Sequence, residues 1–199
     1  MLNIKNLSKS FSDTKVLDDM SCTIDSGKLV ALLGQNGSGK TTFLKCISNI
    51  MNIDSGDIDY NNFNFLFLND KPNIFSDLNI LDNMECILRF YNQNLDRDKY
   101  NQYLNLLGLK EFEGLQLKNL SRGNLQRNKL FIALNLSWEY LLIDEPFMNL
   151  DDSAQAIFKE IFLDFRSKNK TIIFSTHNFS YVEDICDQSL TIKEGKIHL

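Results

Sequence analysis

No run of apolar residues approaches the ~20 that a helix needs to cross a bilayer. The N-terminal Met1-Leu2-Asn3-Ile4-Lys5 has none of a secretory signal's long apolar core. A cytoplasmic chain is expected. Cysteine is scarce and scattered: Cys22, Cys46, Cys86 and Cys186 stand far apart, with no C-x-x-C pair and no histidine at ligand spacing. They read as free buried thiols in a reducing compartment, not as a staple. Basic charge is in deficit, with Lys+Arg 21 against Asp+Glu 26 and a net charge of −5. That balance argues against a dedicated DNA or RNA binder. Internal repeats and low-complexity tracts are absent, although Asn is frequent. What remains is ordinary globular material, 199 residues with 43% hydrophobic and 24% charged. This is enough to bury a core in one generous domain and rules out disorder as the main state.

Hydrophobic patterning divides the chain into an α/β exterior and a helical interior. Residues 2–7 and 16–24 read as strands, and Leu29-Val30-Ala31-Leu32-Leu33 between Gly27 and Gly34 reads as a buried one. Helical spacing follows over 41–50, then short strands over 57–60 and 63–68. The middle predicts helices over 80–90 and 98–107, the second stopping at Gly108, and a further helix from about 121 to 136. Strands at 140–143 and 171–175 enclose a helix over 152–165. A helix over 179–185 and a hairpin around Glu194-Gly195 complete the pattern.

Gly34-Gln35-Asn36-Gly37-Ser38-Gly39-Lys40-Thr41 fits G-x-x-x-x-G-K-[ST], between a buried strand and a helix. Glycines allow successive backbone N–H groups to turn inward around phosphate oxygens, and the helix N-terminus adds partial positive charge. Lys40 is placed to reach β- and γ-phosphates, and Thr41 to offer its hydroxyl to Mg²⁺. Further on, the apolar strand Leu141-Leu142-Ile143 ends in Asp144-Glu145. Ligands of α/β sheets collect at the C-terminal ends of strands, so both acids belong beside the phosphates. Adjacent strand-end residues diverge: Asp144 suits Mg²⁺ through a bound water, and Glu145 suits polarising the attacking water.

Leu120-Ser121-Arg122-Gly123-Asn124-Leu125-Gln126-Arg127 lies just before that strand. It resembles the LSGGQ signature of the nucleotide-binding domains of ABC transporters. Pro146, the D-loop-like Asn149-Leu150-Asp151 and Thr176-His177 follow in the family's order, so the resemblance covers essentially the whole chain. It implies a P-loop NTPase core with a mostly parallel sheet, a small N-terminal antiparallel β-subdomain and a helical subdomain inserted at about 70–125. The whole chain, 1–199, then forms one ATP-binding cassette. The implied activity is ATP hydrolysis with Mg²⁺, in a head-to-tail homodimer or a heterodimer with a closely related ATPase subunit, which drives a separately encoded membrane subunit from the inner face of the membrane. Each ATP would lie between one subunit's phosphate loop (Gly34, Asn36, Gly37, Ser38, Gly39, Lys40, Thr41 and Thr42) and the other's Ser121 and Gly123. Glu145, His177 and Lys40 are the implied catalytic residues, and Phe11 the adenine-stacking aromatic.

Three positions depart from the family pattern. Arg122 replaces the first signature glycine and is expected to face away from the nucleotide. Asn124 replaces the signature glutamine. Aligned on Pro72, Asp70 stands where the family has the Q-loop glutamine, with Asn69 as the alternative; Asp70 would join Thr41 and Asp144 as a metal ligand. The β-subdomain between Gly56 and Leu68 is short, and no C-terminal regulatory domain is expected after the last hairpin. The compact size resembles small exporter ATPases. A soluble ABC ATPase of the Fe–S assembly type is the alternative. No guanine-reading N-K-x-D is present, against a GTPase. Ile74 and Phe75, two large apolar residues in a loop, are candidates for docking the membrane subunit.

Overall fold

The computed structural model describes residues 1–60, 63–69 and 75–198. The chain opens with β1 (Leu2–Phe11) and β2 (Thr14–Ile24), antiparallel around a turn in which Ser12 adopts φ 51°. Both strands run longer than the sequence pattern indicated, because the hairpin pairs to its tip at Phe11 and Thr14. β3 (Leu29–Leu33) leads through the glycine-rich loop into α1 (Lys40–Ile47), and β4 (Ser55–Asp59) then pairs with the other side of β1. This makes a three-stranded antiparallel sheet ordered β2-β1-β4. Its apolar face meets α1 and the main sheet: Leu7, Leu17 and Met20 share one cluster with Phe43, Leu44, Val30 and Leu142.

The main sheet adds β5 (Phe65–Leu68), β6 (Tyr140–Ile143), β7 (Thr171–Thr176), β8 (Gln188–Lys193) and β9 (Lys196–His198), ordered β5-β6-β7-β3-β8-β9. All pairs are parallel except the terminal β8–β9 hairpin. Every residue of β6 and β7 is buried, as expected of central parallel strands covered on both faces. Register decides what these strands can present. Ile143 pairs with Phe174, and Leu32 and Leu33 pair with Ser175 and Thr176. Hence β3 and β7 end together, β6 ends opposite Phe174 just short of them, and the residues that follow emerge at one edge.

Two compact units result. The first comprises Met1–Asp70, Trp138–Pro146 and Lys159–Leu199, with both sheets; the second comprises Lys71–Ser137 and Phe147–Phe158. The second unit holds α2 (Ile80–Phe90), α3 (Arg97–Leu106) and α4 (Arg122–Asn135). α5 (Asp152–Ser167) starts in the second unit and ends in the first. Met84, Leu88, Leu104 and Phe131 are buried in the second unit, and Tyr100 meets Phe131 edge-on at 5.1 Å. The helix starts are chemically explicit: Asn79 Oδ1 accepts the Asp82 N–H at 2.9 Å, and Asp96 Oδ1 accepts the Asp98 and Lys99 N–H groups. Among the described residues, no helix is long and apolar enough to cross a membrane.

Some expectations need correction. The segment expected to be helical over 179–185 holds only a 3₁₀ turn, Phe179–Tyr181. The turn ends at Val182, which is fully buried and leaves helical geometry at φ −133°. Of the cysteines, only Cys46 is buried, and the other three are half-buried. Desolvation still pushes the Cys22 thiol up to about 12 and that of Cys46 to about 11. Asp70 and Ile74 lie outside the described residues.

Asn83 closes the start of the second unit. It is 1% exposed; its Oδ1 accepts the Phe75 N–H, and its Nδ2 donates to the carbonyls of Phe75 and Asn79, each at 3.0 Å. Replacing it with Ala leaves those groups without their buried partner. Asn83→Ala should lower unfolding free energy by about 1–3 kcal/mol in urea titration. A change within error would show that the clamp contributes nothing.

Candidate functional site

The path from β3 into α1 is built on glycine. Gly34 adopts φ 149°, and a Cβ there would lie 2.5 Å from both the Ile192 carbonyl and Ser38 Oγ. Gly39, at φ 104°, is the N-cap of α1 and supplies no side-chain cap, and no acid occupies the first turn. The open helix N-terminus therefore keeps its amide donors and its positive end for an anion. Lys40 is 6% exposed and donates to the carbonyls of Gly34 at 2.8 Å and Gln35 at 3.2 Å. Its ammonium thus lies across the loop. Ser38 Oγ is buried without a hydrogen-bond partner. Such an orphan hydroxyl, beside a ring of amides and a lysine, fits a phosphate group.

Next to this loop, Asp144 is 3% exposed and bonded on both oxygens. Thr41 Oγ1 donates to Oδ2 at 2.6 Å, and Ser175 Oγ donates to Oδ1. Thr41 and Asp144 offer hard oxygen donors, which suit Mg²⁺ completed by phosphate and water.

Glu145 turns into the left-handed region at φ 47°, a conformation costing a non-glycine residue ~1–3 kcal/mol. Its N–H donates to Ser175 Oγ at 2.9 Å. Its carboxylate lies 3.9 Å from Lys40 Nζ through Oε1 and 3.1 Å from His177 Nδ1 through Oε2. Lys40, Thr41, Asp144, Glu145 and His177 therefore converge, although they come from α1 and the ends of β6 and β7. Ser175 belongs to the same cluster and was not singled out from the sequence. Its only signal is a small hydroxyl residue closing an apolar strand two positions before His177.

The remaining expected residues lie around or apart from this cluster. Asn36 and Gly37 are exposed on the loop, and Thr42 is half-buried on α1. Phe11 is 46% exposed at the tip of the β1–β2 hairpin, with Lys9 Nζ 5.9 Å from its ring centre. The same hairpin reaches the loop at Val16 and Leu17, the atoms nearest a Cβ built on Gly39. Ser121 belongs to the second unit, where it N-caps α4 by accepting the Asn124 N–H at 3.2 Å. Arg122 is exposed at the first position of that helix. Gly123 follows; a Cβ on it would come within 3.0 Å of the Asn149 carbonyl. Asp151 accepts from the Ala154 N–H at 2.8 Å and faces Arg127 at 3.5 Å. The helix N–H, foremost, holds the Asp151 carboxyl below its ordinary range.

A parallel sheet whose first loop cradles an open helix N-terminus, beside an acid-tipped strand, defines a P-loop nucleotide-binding protein. The sequence model described as ABC transporter matches residues 17–148, and the chain belongs to that family, among its ATP-binding cassettes. It is 30% identical over 98% of its length to an uncharacterized ABC transporter ATP-binding protein of Methanocaldococcus jannaschii, covering 75% of that protein. It is also 30% identical to the phosphonates import ATP-binding protein of Fusobacterium nucleatum, over 99% of this chain and 90% of that one. A solved structure of an ATP-binding subunit of an ABC transporter superposes with a TM-score of 0.89 at 26% identity, covering 100% of this chain and 88% of that one.

Gly34 is the position where the loop tolerates least. Gly34→Ala drives a methyl into the Ile192 carbonyl and Ser38 Oγ. It should weaken binding of a fluorescent ATP analogue by about tenfold or more, given strain of ~1–3 kcal/mol. Affinity within twofold of wild type would disconnect the loop conformation from nucleotide binding.

Proposed function

We propose that this chain hydrolyses ATP as the energising subunit of an ABC transporter and couples a head-to-tail dimer of cassettes to a separate membrane subunit on the cytoplasmic face. The observation that carries this reading is the Glu145 carboxylate, held between Lys40 and His177 beside the Thr41–Asp144 pair. Phosphoryl transfer to water needs positioning and charge stabilisation more than covalent chemistry. Glu145 is the group to polarise water, and His177 orients it through the 3.1 Å bond. Lys40 exchanges loop carbonyls for phosphate oxygens. Thr41 and Asp144 would hold Mg²⁺, whose charge offsets that of the triphosphate.

Gly34, Asn36, Gly37, Ser38, Gly39 and Thr42 complete the proposed phosphate cradle, and Phe11 is the proposed adenine platform. Ser121 and Gly123 would serve the nucleotide of a second cassette. The Ser121 oxygen caps α4 as an acceptor, which leaves its proton free to donate. Asp70 keeps its proposed place in the Q-loop. We retain a single cassette, 1–199, as the organisation of the chain. The relatives do not fix the direction of transport: one is named for phosphonate import and another for lipopolysaccharide export.

Glu145→Gln preserves shape and removes the charge. Steady-state phosphate release should fall about 100-fold or more, while ATP binding persists and size-exclusion chromatography with ATP shows a trapped dimer. Lys40→Ala should instead weaken nucleotide binding itself. Wild-type turnover by Glu145→Gln would remove Glu145 from the reaction.

Docking of the membrane subunit is assigned to the second unit. Phe75 is 49% exposed, Phe90 75%, and their rings stack at 6.4 Å. An apolar pair on the surface suits a short helix from a partner. In the assembled transporter, Phe75→Ala should abolish transport while the isolated chain keeps its basal hydrolysis. Loss of basal hydrolysis or of folding would place Phe75 in the core instead.

A further inference from the structure

We propose that Ser175 is a positioning residue of the ATP site, using one hydroxyl to orient both acids of Asp144-Glu145; this rests on the reading of that site as an ATPase. Ser175 is fully buried in β7, behind Ile172, Ile173 and Phe174. A hydroxyl in such surroundings is costly unless it is hydrogen-bonded, and this one is bonded twice. It donates to Asp144 Oδ1 and accepts the Glu145 N–H at 2.9 Å. A serine hydroxyl has one proton and two lone pairs, so both bonds form together.

The neighbouring hydroxyl has a different task. Thr176 Oγ1 donates to the Asn178 carbonyl at 3.2 Å and accepts the Asn178 N–H at 3.1 Å, closing a local turn. Only Ser175 reaches across to the end of β6. Its two bonds have separate consequences. With Oδ1 occupied by Ser175, Asp144 turns Oδ2 toward Thr41 at 2.6 Å, so the oxygen on the metal side is chosen by β7. The bond to the Glu145 N–H braces a residue at φ 47°, the conformation that aims its carboxylate between Lys40 and His177. Alanine at this position would leave Asp144 held by Thr41 alone and remove the hydroxyl that accepts the Glu145 N–H.

The test separates positioning from packing. Binding of a fluorescent ATP analogue is measured in EDTA and across a Mg²⁺ titration, together with kcat and thermal unfolding of the unliganded chain. Ser175→Ala should bind the analogue in EDTA within twofold of wild type, because that affinity belongs to the phosphate loop. Its Mg²⁺ midpoint should rise and its kcat fall, each by about 10- to 100-fold, as is usual when an outer-shell partner of a metal ligand is removed. Ser175→Thr, which keeps the hydroxyl, should recover most of both. Ser175→Cys, of similar size but a poor donor, should behave like Ser175→Ala and serves in its place if the alanine variant does not fold. A lower unfolding temperature with an unchanged Mg²⁺ midpoint and kcat would make Ser175 a packing residue and overturn the proposal. A wild-type chain that binds no ATP sinks both the ATPase reading and this inference. A wild type that hydrolyses ATP beside an unaltered Ser175→Ala variant overturns the inference alone.

Discussion

A carboxylate that is 3% exposed at the end of an apolar strand survives only if its oxygens are satisfied. Asp144 meets that requirement with two hydroxyls from different elements, Thr41 at the start of α1 and Ser175 at the end of β7. The rest of the candidate site depends on this arrangement. It fastens the β6 terminus to the phosphate loop on one side and to β7 on the other. It also decides where the next residue, Glu145, begins its turn.

That turn keeps the two acids in one cluster. Along an extended strand, neighbouring side chains would point to opposite faces. Here the chain leaves β6 at Ile143, and Glu145 enters the left-handed region at φ 47°. Asp144 is thereby kept against Thr41, while Glu145 reaches Lys40 and His177. Strain at one residue and a shared hydroxyl at another build a cluster out of residues that are unremarkable in isolation.

The helical unit is organised by polar side chains acting on backbone. Asn83 holds both the N–H and the carbonyl of Phe75, presenting an aromatic ring to the surface, where it stacks on Phe90. Asp151 caps α5 and faces Arg127 of α4, so the sequence that resembles the family signature is tied to the loop after Pro146. Ser121 caps α4 with its own oxygen.

Much of this was legible in the chain. The phosphate loop is local, its spacing reflects backbone geometry, and the strand–loop–helix context was visible on either side of it. Asp144 and Glu145 were legible because an apolar strand ending in two acids follows a glycine-rich G-x-x-x-x-G-K-[ST] loop in the same chain. The apolar runs that became β3, β6 and β7 were legible because strands covered on both faces need no polar alternation. The apolar spacing over 179–185 reads as a helix, but the chain leaves helical geometry at Val182, φ −133°, which spacing alone does not reveal. Asn83 was invisible because a hydrogen bond from its side chain to a loop backbone has no periodicity. Ser175 was invisible because a lone serine at a strand end is common and its partners lie some thirty residues earlier, brought near only by the β6–β7 register. Sequence alone determined which glycine-rich and charged groups make up the candidate site, because their pattern is local. Only the tertiary structure decided which hydroxyls neutralise and aim them, because parallel pairing joins residues that the chain keeps apart.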